Sequence, residues 1–300
     1  MPEEMPEDAG SDPATRLWDE HRALLFTVAY EILGSAADAE DVVQEVWLRW
    51  RQVDLAQVRD GRAYLVTIAT RQALNRLRTV QRRREEYVGP WLPEPLRTSG
   101  DVADDVALAD AVSTAMLLVL DTLGPVERVV FVLHEVFDVP YGEIARSVDR
   151  SVEAVRQIAV RARRHVAARR PRQQVQAAER AAVLERFFAA ARSGDMQSLV
   201  DLLAPDVVLV TDGGGLRPAA LRPISGAAKV MRFLLGVWNT EAAITSVTLN
   251  GSAGLCFDVG GEIDTVVTLG IHDGLIRDVY VVRNPQKLTA IEVEVPLTRG

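Results

Sequence analysis

The sequence is short of cysteine, lysine and aromatic residues. Its one cysteine, Cys256, excludes an internal disulfide. The strand-like setting of that residue, GLCFDVG, marks it as a small buried hydrophobe. Lysine stands only at positions 229 and 287, so nearly all positive charge is arginine. Aromatics make up 6% of residues, which leaves Leu, Val, Ala and Ile to build the cores. No run approaches the roughly 18 uncharged apolar residues that a membrane span needs. The N-terminus, MPEEMPEDAGSDP, is acidic and lacks an apolar stretch, so residues 1–13 read as a disordered tail rather than a secretory leader. The histidines His21, His134, His165 and His272 show no metal-ligand spacing, and neither GxGxxG nor a P-loop is present. No cofactor or metal is therefore expected, and the expected compartment is the cytoplasm.

What is present is 300 residues, 48% hydrophobic and 25% charged, enough for two or three domains. The net charge of −8 argues at first against a nucleic-acid partner. The distribution argues the other way. Residues 71–84 carry Arg71, Arg76, Arg78, Arg82, Arg83 and Arg84 and no acid, and residues 145–172 carry nine arginines against Asp149 and Glu153. Clusters of this kind make a local field that attracts phosphate despite an acidic total.

Apolar residues at helical spacing predict a helix over 14–33, ended by Gly34. Asp38 is expected to cap a second helix, 39–52, and Asp60 or Gly61 to open a third, 62–80. The third would bury Leu65, Ile68, Ala69, Ala73, Leu74 and Leu77 and turn Arg62, Arg71, Asn75 and Arg78 outward. Residues 88–107 contain VGPWLPEPLRTSG, whose prolines and glycines break the pattern. This reads as a linker that docks, because Trp91 and Leu92 are costly to expose. Two helices are expected over 108–137, broken at Gly124-Pro125. A short helix at 140–147, a turn at Asp149-Arg150 and a helix at 151–170 capped by Ser151 then form a helix-turn-helix. In its second helix Val155, Ile158 or Ala159, Ala162 and Val166 would seat inward. Glu153, Arg156, Gln157, Arg161 and Arg164 would point out, as base edges and phosphates require. After about residue 178, two helices, a strand, a helix at 226–237 and four alternating runs closed by turns such as Asn250-Gly251 and Asp273-Gly274 predict an α+β domain.

The segment LDTLGPVERVVFVLHEVFDVPYGEIARSVDRSVEAVRQIAVRARRHV resembles region 4 of the extracytoplasmic function class of the sigma-70 family. DAEDVVQEVWLRW, followed by RAYLVTIATRQALNRLR, resembles region 2. The resemblance implies region 2 over 14–87, region 4 over 108–172, and two partners: core RNA polymerase, through its β′ coiled coil and β flap, and promoter DNA. Asp38, Glu40, Asp41, Gln44, Glu45, Trp47 and Leu48 would contact the β′ coiled coil, with Trp50 in the core. Arg62, Arg71, Asn75, Arg76 and Arg78 would hold the −10 element, and Ser151, Glu153, Arg156, Gln157, Arg161 and Arg164 the −35 element. Arg82, Arg83 and Arg84 would lie at a solvated helix end or on phosphate.

Residues 178–291 resemble the SnoaL-like members of the nuclear transport factor 2-like superfamily, cone-shaped α+β domains with a pocket. A SigJ-like group of the class carries this extension, and three motifs match it: Trp91-Leu92-Pro93-Glu94-Pro95, Asp212-Gly213-Gly214-Gly215 and Asn284-Pro285-Gln286-Lys287-Leu288. Leu216 stands where that group often has lysine. The expectation is that the three motifs form one regulatory contact within the chain, followed by a tail at 292–300. Asp212, Asp258, Glu262, Asp264, His272 and Asp278 are the acids and bases available for catalysis, but no pairing is legible and no enzyme is expected. Two alternatives remain: a helix-turn-helix regulator with a ligand-sensing domain, and a SnoaL-like enzyme on a DNA-binding arm.

Overall fold

A computed structural model of the chain describes residues 12–99, 102, 105–169, 177–237 and 242–300. The expected N-terminal tail falls almost wholly outside the described residues, as does the end of the helix-turn-helix beyond Arg169. Three helices come first: α1 (Pro13–Leu33), α2 (Ala36–Trp50) and α3 (Gly61–Glu85). Gly34 ends α1 at φ 68°, and Asp60 caps α3 by accepting from the Ala63 N–H. The cap of α2 is Ser35, not Asp38: its hydroxyl accepts from the Asp38 N–H, and Asp38 lies inside the helix. The S-x-x-D spacing favours this start over the one expected from Asp38.

The next stretch holds three helices rather than two: α4 (Val106–Val112), α5 (Thr114–Asp121) and α6 (Pro125–Phe131), the last running into a π-helical turn at Val132–Val136. The unexpected break is at Ser113, whose hydroxyl accepts from the Met116 N–H and starts α5. The helix-turn-helix follows as α7 (Tyr141–Val148) and α8 (Val152–Arg169), with Asp149 in the left-handed turn at φ 53° and Ser151 accepting from the Ala154 N–H.

The two helical units do not have separate cores. Trp18, Leu24, Trp50 and Leu77 of the first belong to one buried cluster with Leu117, Val130, Ile144 and Val166 of the second. α3 is the shared wall. It buries the expected Leu65, Ala69, Ala73, Leu74 and Leu77, and also Thr70, Gln72 and Val80, because α6 and α7 cover its other side.

The remainder is the α+β domain: α9 (Ala177–Ser193), α10 (Met196–Leu202), β1 (Leu203–Asp212), β2 (Ile224–Ser225), α11 (Ala227–Val237), β3 (Ala243–Leu249), β4 (Ser252–Val259), β5 (Glu262–His272) and β6 (Leu275–Val282). The sheet order is β2-β1-β6-β5-β4-β3, with only β1 and β6 parallel. Strand periodicity divides its side chains between two apolar layers. Leu209, Leu255, Val267 and Val281 face α9, α10 and α11. Their neighbours Cys256, Val266 and Val282 face away, onto Leu92 of the linker, Leu118 of α5 and Leu288 and Ile291 near the C-terminus. The second face of the sheet is thus covered by the helical part of the chain. Among the described residues no helix is long and apolar enough to cross a membrane.

Candidate nucleic-acid interface and interdomain junction

The outward face of α8 is open. Val155, Ala159, Ala162 and Val166 are buried, while Ser151, Glu153, Arg156, Gln157, Arg161 and Arg164 are all exposed. Arg156 pairs with Glu153 at 3.5 Å and Arg161 with Glu127 at 3.7 Å, both at the surface, where such pairs contribute little and yield readily to a stronger anion.

The face of α3 is largely occupied. Arg71 donates to the carbonyl of Arg146 in α7 (2.8 Å), and Ser147 of α7 donates to Thr67 (3.4 Å). Arg62 donates to the carbonyl of Arg299 (3.4 Å). Arg76 binds Asp38 at 2.6 Å and also Asp41, with Glu45 at 3.9 Å. Only Asn75 and Arg78 are exposed and bound to nothing but each other among the described contacts. On α2, Asp38 is therefore a buried partner of Arg76 rather than part of an open acidic face. Asp41, Gln44, Glu45 and Leu48 are exposed, and Glu40 pairs with Arg22 at 3.6 Å. Trp47 is half-buried against Trp18, with ring centroids 5.0 Å apart, and Trp50 is fully buried, donating from Nε1 to the Ala14 carbonyl.

The three motifs of the linker, the DGGG loop and the NPQKL segment meet in one place. Asp212, fully buried, is the hub. Its Oδ1 accepts from the Tyr87 hydroxyl (2.6 Å) and the Gly214 N–H (3.1 Å), and its Oδ2 from the Leu92 N–H (2.8 Å) and Lys287 Nζ (2.7 Å). Lys287 also donates to the Leu92 carbonyl, and Asn284 to the Tyr87 hydroxyl. Burial pulls the Lys287 ammonium down to about 8, with Asp212 pushing back. The Trp91 ring lies between two cations, Arg84 at 3.3 Å and Lys287 at 4.1 Å. Gly214 sits at φ 59°, and a Cβ there would lie 2.4 Å from the Asn284 side chain, so the loop has to be glycine at this point. Pro93, Pro95 and Leu288 are buried around the junction, while Gly215 and Leu216 are exposed. Glu94 reaches the other way: its carboxylate accepts from Ser35 Oγ (2.8 Å) and from the Ala36 and Ala37 N–H groups, completing the N-terminus of α2.

Several residues of this junction were not legible in the sequence. Arg84 is neither solvated nor open to phosphate; it is largely buried, donating to the Leu33 carbonyl and pairing with Asp121 at 2.7 Å. Asn250 is more than a hairpin turn. It lies buried at φ 50° and donates to the Tyr30 hydroxyl (2.6 Å) and the Val112 carbonyl (2.9 Å), while accepting from the Leu96 N–H. The segment expected as a tail is docked: Leu297 is buried, the Thr298 N–H donates to Thr27, and Arg299 pairs with Asp105 at 2.9 Å.

Glu31 lies on the seam between the two helical units. It is fully buried, and among the described residues neither carboxylate oxygen has a hydrogen-bond partner. Burial raises its carboxyl from 4.5 to about 8. The folded chain then binds more protons than the unfolded chain between those values, so stability present below about pH 4.5 is lost as pH rises through about 8. Glu31→Gln is expected to flatten this decline and to stabilise the protein more at pH 8 than at pH 5, by an amount on the order of a few kcal/mol. Thermal melts of both proteins across that range read it; parallel pH profiles would refute it.

Of the candidate catalytic groups, the structure brings only His272 and Asp278 together. Asp212 is spent in the junction, Asp258 accepts from the Gly261 N–H in a turn, Glu262 is exposed, and Asp264 binds Arg283 at 2.8 Å. His272 stands at the end of β5, 3.5 Å from Asp278.

Comparison with known proteins matches this arrangement part by part. The Sigma-70 region 2 model matches residues 17–84 and the Sigma-70, region 4 model residues 113–166. The chain is 37% identical over 285 residues to the ECF RNA polymerase sigma factor SigJ of Mycobacterium tuberculosis, covering 89% of this chain and 91% of that protein. It is 32% identical to a probable ECF RNA polymerase sigma factor, SigI, of the same species, covering 94% and 97%. The crystal structure of the M. tuberculosis SigJ superposes with a TM-score of 0.74 at 34% identity, covering 92% of this chain and 99% of that one. The matched span takes in both helical units and the α+β domain in one order, and the chain belongs to the extracytoplasmic function (ECF) RNA polymerase sigma factors.

Proposed function

We propose that the chain binds core RNA polymerase through α2, engages the −10 element through α3 and the −35 element through α8, and is regulated in cis by its own α+β domain. The observation that carries the regulatory part is the closed arrangement of the two reading helices. The −10 and −35 elements lie about 25 base pairs apart, roughly 85 Å along B-form DNA at about 3.4 Å per pair. Here α7 packs directly on α3, and α8 on α7. Packed helices sit about 8–10 Å apart, which puts α8 within about 20 Å of α3. Both elements cannot be held at once in this state. The Arg71 and Arg62 contacts, to α7 and to the C-terminal segment, cover the −10 face until it opens, whereas Arg76 is held within the first helical unit by α2. The junction on Asp212 and the docked Leu297–Arg299 segment are the contacts through which the α+β domain favours the closed state.

The test is run-off transcription with purified core polymerase. Promoter-specific transcripts are expected with the full-length protein and a different yield with a 1–172 truncation. No transcripts from either would favour a helix-turn-helix regulator that acts without polymerase. Arg156→Ala and Gln157→Ala are expected to weaken discrimination at the −35 element by about 1–3 kcal/mol each without abolishing polymerase binding. Unchanged promoter preference in both variants would remove α8 from that role.

A further inference from the structure

The α+β domain contains a cavity that the interdomain junction does not use. It measures about 170 Å³ and lies between α11 and the strands that face it. Its walls are apolar: Phe233 and Leu234 from α11, and Phe257, Val267 and Val281 from the sheet. Its polar side is formed by Asp264 and Arg283. Arg283 donates from Nη2 to Asp264 (2.8 Å) and from Nη1 to the Pro218 carbonyl (3.1 Å). Its Nε is buried and, among the described residues, has no hydrogen-bond partner. Asp264, by contrast, is already engaged at Oδ2. It accepts from Thr265 and Arg283 and has Arg217 at 4.0 Å, and these groups hold its carboxyl below the usual range against the opposing effect of burial.

Two features of this arrangement select a ligand. The unmet group is a donor, so the polar end of a ligand has to accept. Arg283 in the wall and Arg217 just outside it both approach the one carboxylate, so the charge around Asp264 is positive on balance, which favours an anion. The apolar space is that of a small ring, since a cavity of about 150 Å³ takes up benzene. We propose that this cavity binds a small aromatic or branched aliphatic carboxylate, its apolar body against Phe233, Leu234 and Val267 and its carboxylate on Arg283. The site adjoins the junction along the chain: Thr211 and Arg283, which line the cavity, immediately precede Asp212 and Asn284. The backbone N–H of Arg283 itself donates to the Asp212 carbonyl (2.7 Å). An occupant would thus sit one residue from the junction at the end of β1 and just past the end of β6.

Binding of benzoate, benzylamine and toluene to the full-length protein is measured by saturation-transfer NMR, independently of any transcription assay. Benzoate is expected to bind at least about tenfold more tightly than benzylamine, a difference of about 1.4 kcal/mol. Arg283→Gln is expected to erase that preference while leaving toluene binding in place. Leu234→Trp, which fills the cavity from α11, is expected to remove binding of both, with an unchanged far-ultraviolet circular dichroism spectrum as the check on folding. The proposal is overturned if the folded protein binds no benzoate, if the three probes bind alike, or if benzoate binding survives both substitutions.

Discussion

Asp212→Ala is expected to destabilise the protein by about 3–5 kcal/mol, the range for removing one partner of a buried ion pair. The reason is what remains. Lys287 stays buried beneath Trp91, with the Leu92 carbonyl as its surviving oxygen partner at the junction, and the Tyr87 hydroxyl and the Leu92 N–H each lose an acceptor. One escape limits the cost: burial already holds Lys287 at about 8, so it can shed its proton. Asp212→Asn should cost less than Asp212→Ala, because the amide oxygen can still accept. The double variant Asp212→Asn with Lys287→Met should lose less than the sum of its single changes, because no uncompensated charge is left. Urea unfolding of the five proteins (the parent, Asp212→Ala, Asp212→Asn, Lys287→Met and the double variant), followed by tryptophan fluorescence, measures these losses. A loss under about 0.5 kcal/mol for Asp212→Ala, the size of a surface substitution, would show that the junction is not a structural hub.

How much of this could be read from the chain depended on the range of the signal. The helix-turn-helix was legible because its cap, its left-handed turn and its apolar stripe all lie within about 30 residues. The strands of the α+β domain were legible for the same reason, through alternation and Asn-Gly or Asp-Gly turns. The meeting of Trp91, Asp212 and Lys287 could be anticipated only from the resemblance, since over a hundred residues separate the linker from the loop it meets. What was missed is long-range chemistry carried by ordinary residues. Nothing near Asn250 signals that a hairpin turn will donate to Tyr30, 220 positions away. Nothing near Glu94 signals that it completes a helix N-terminus at Ala36. The basic run at 82–84 misled because local charge reads as solvent-facing, whereas Arg84 is taken inward by Asp121 and by the carbonyl end of α1. The arginines of α3 stand out in the sequence as a basic cluster, but sequence alone could not show which of them the packed structure would occupy.

The second large effect is expected at Asp121. This carboxylate sits between two guanidiniums, Arg84 at 2.7 Å and Arg128 in direct contact, and Arg128 is almost wholly buried. Both arginines also close the C-terminal end of α1. Arg128 donates twice to the Glu31 carbonyl and Arg84 to the Leu33 carbonyl, where the helix dipole favours cations. Asp121 comes from the end of α5, so this cluster joins the second helical unit to the first. Asp121→Ala leaves two buried like charges facing each other, an expected penalty of about 3–5 kcal/mol. Opening the seam gives those charges water, so the penalty falls on the closed state and shifts the closed–open balance by at least about a hundredfold. The shift can be read as a distance. Gln44 of α2 and Gln157 of α8 are both exposed, and Cys256, the only native cysteine, is buried with its thiol pushed up to about 11. Spin labels on Gln44→Cys and Gln157→Cys should therefore report without interference. The parent protein is expected to give one short, narrow distance distribution, and Asp121→Ala a longer and broader one with helical content retained. The same variant should bind −35 and −10 promoter DNA together more tightly, because less of the binding energy is spent on opening. An unchanged distance distribution in Asp121→Ala would mean that the seam between the two helical units is held elsewhere, and the arginine cluster would then be a cap on α1 and nothing more.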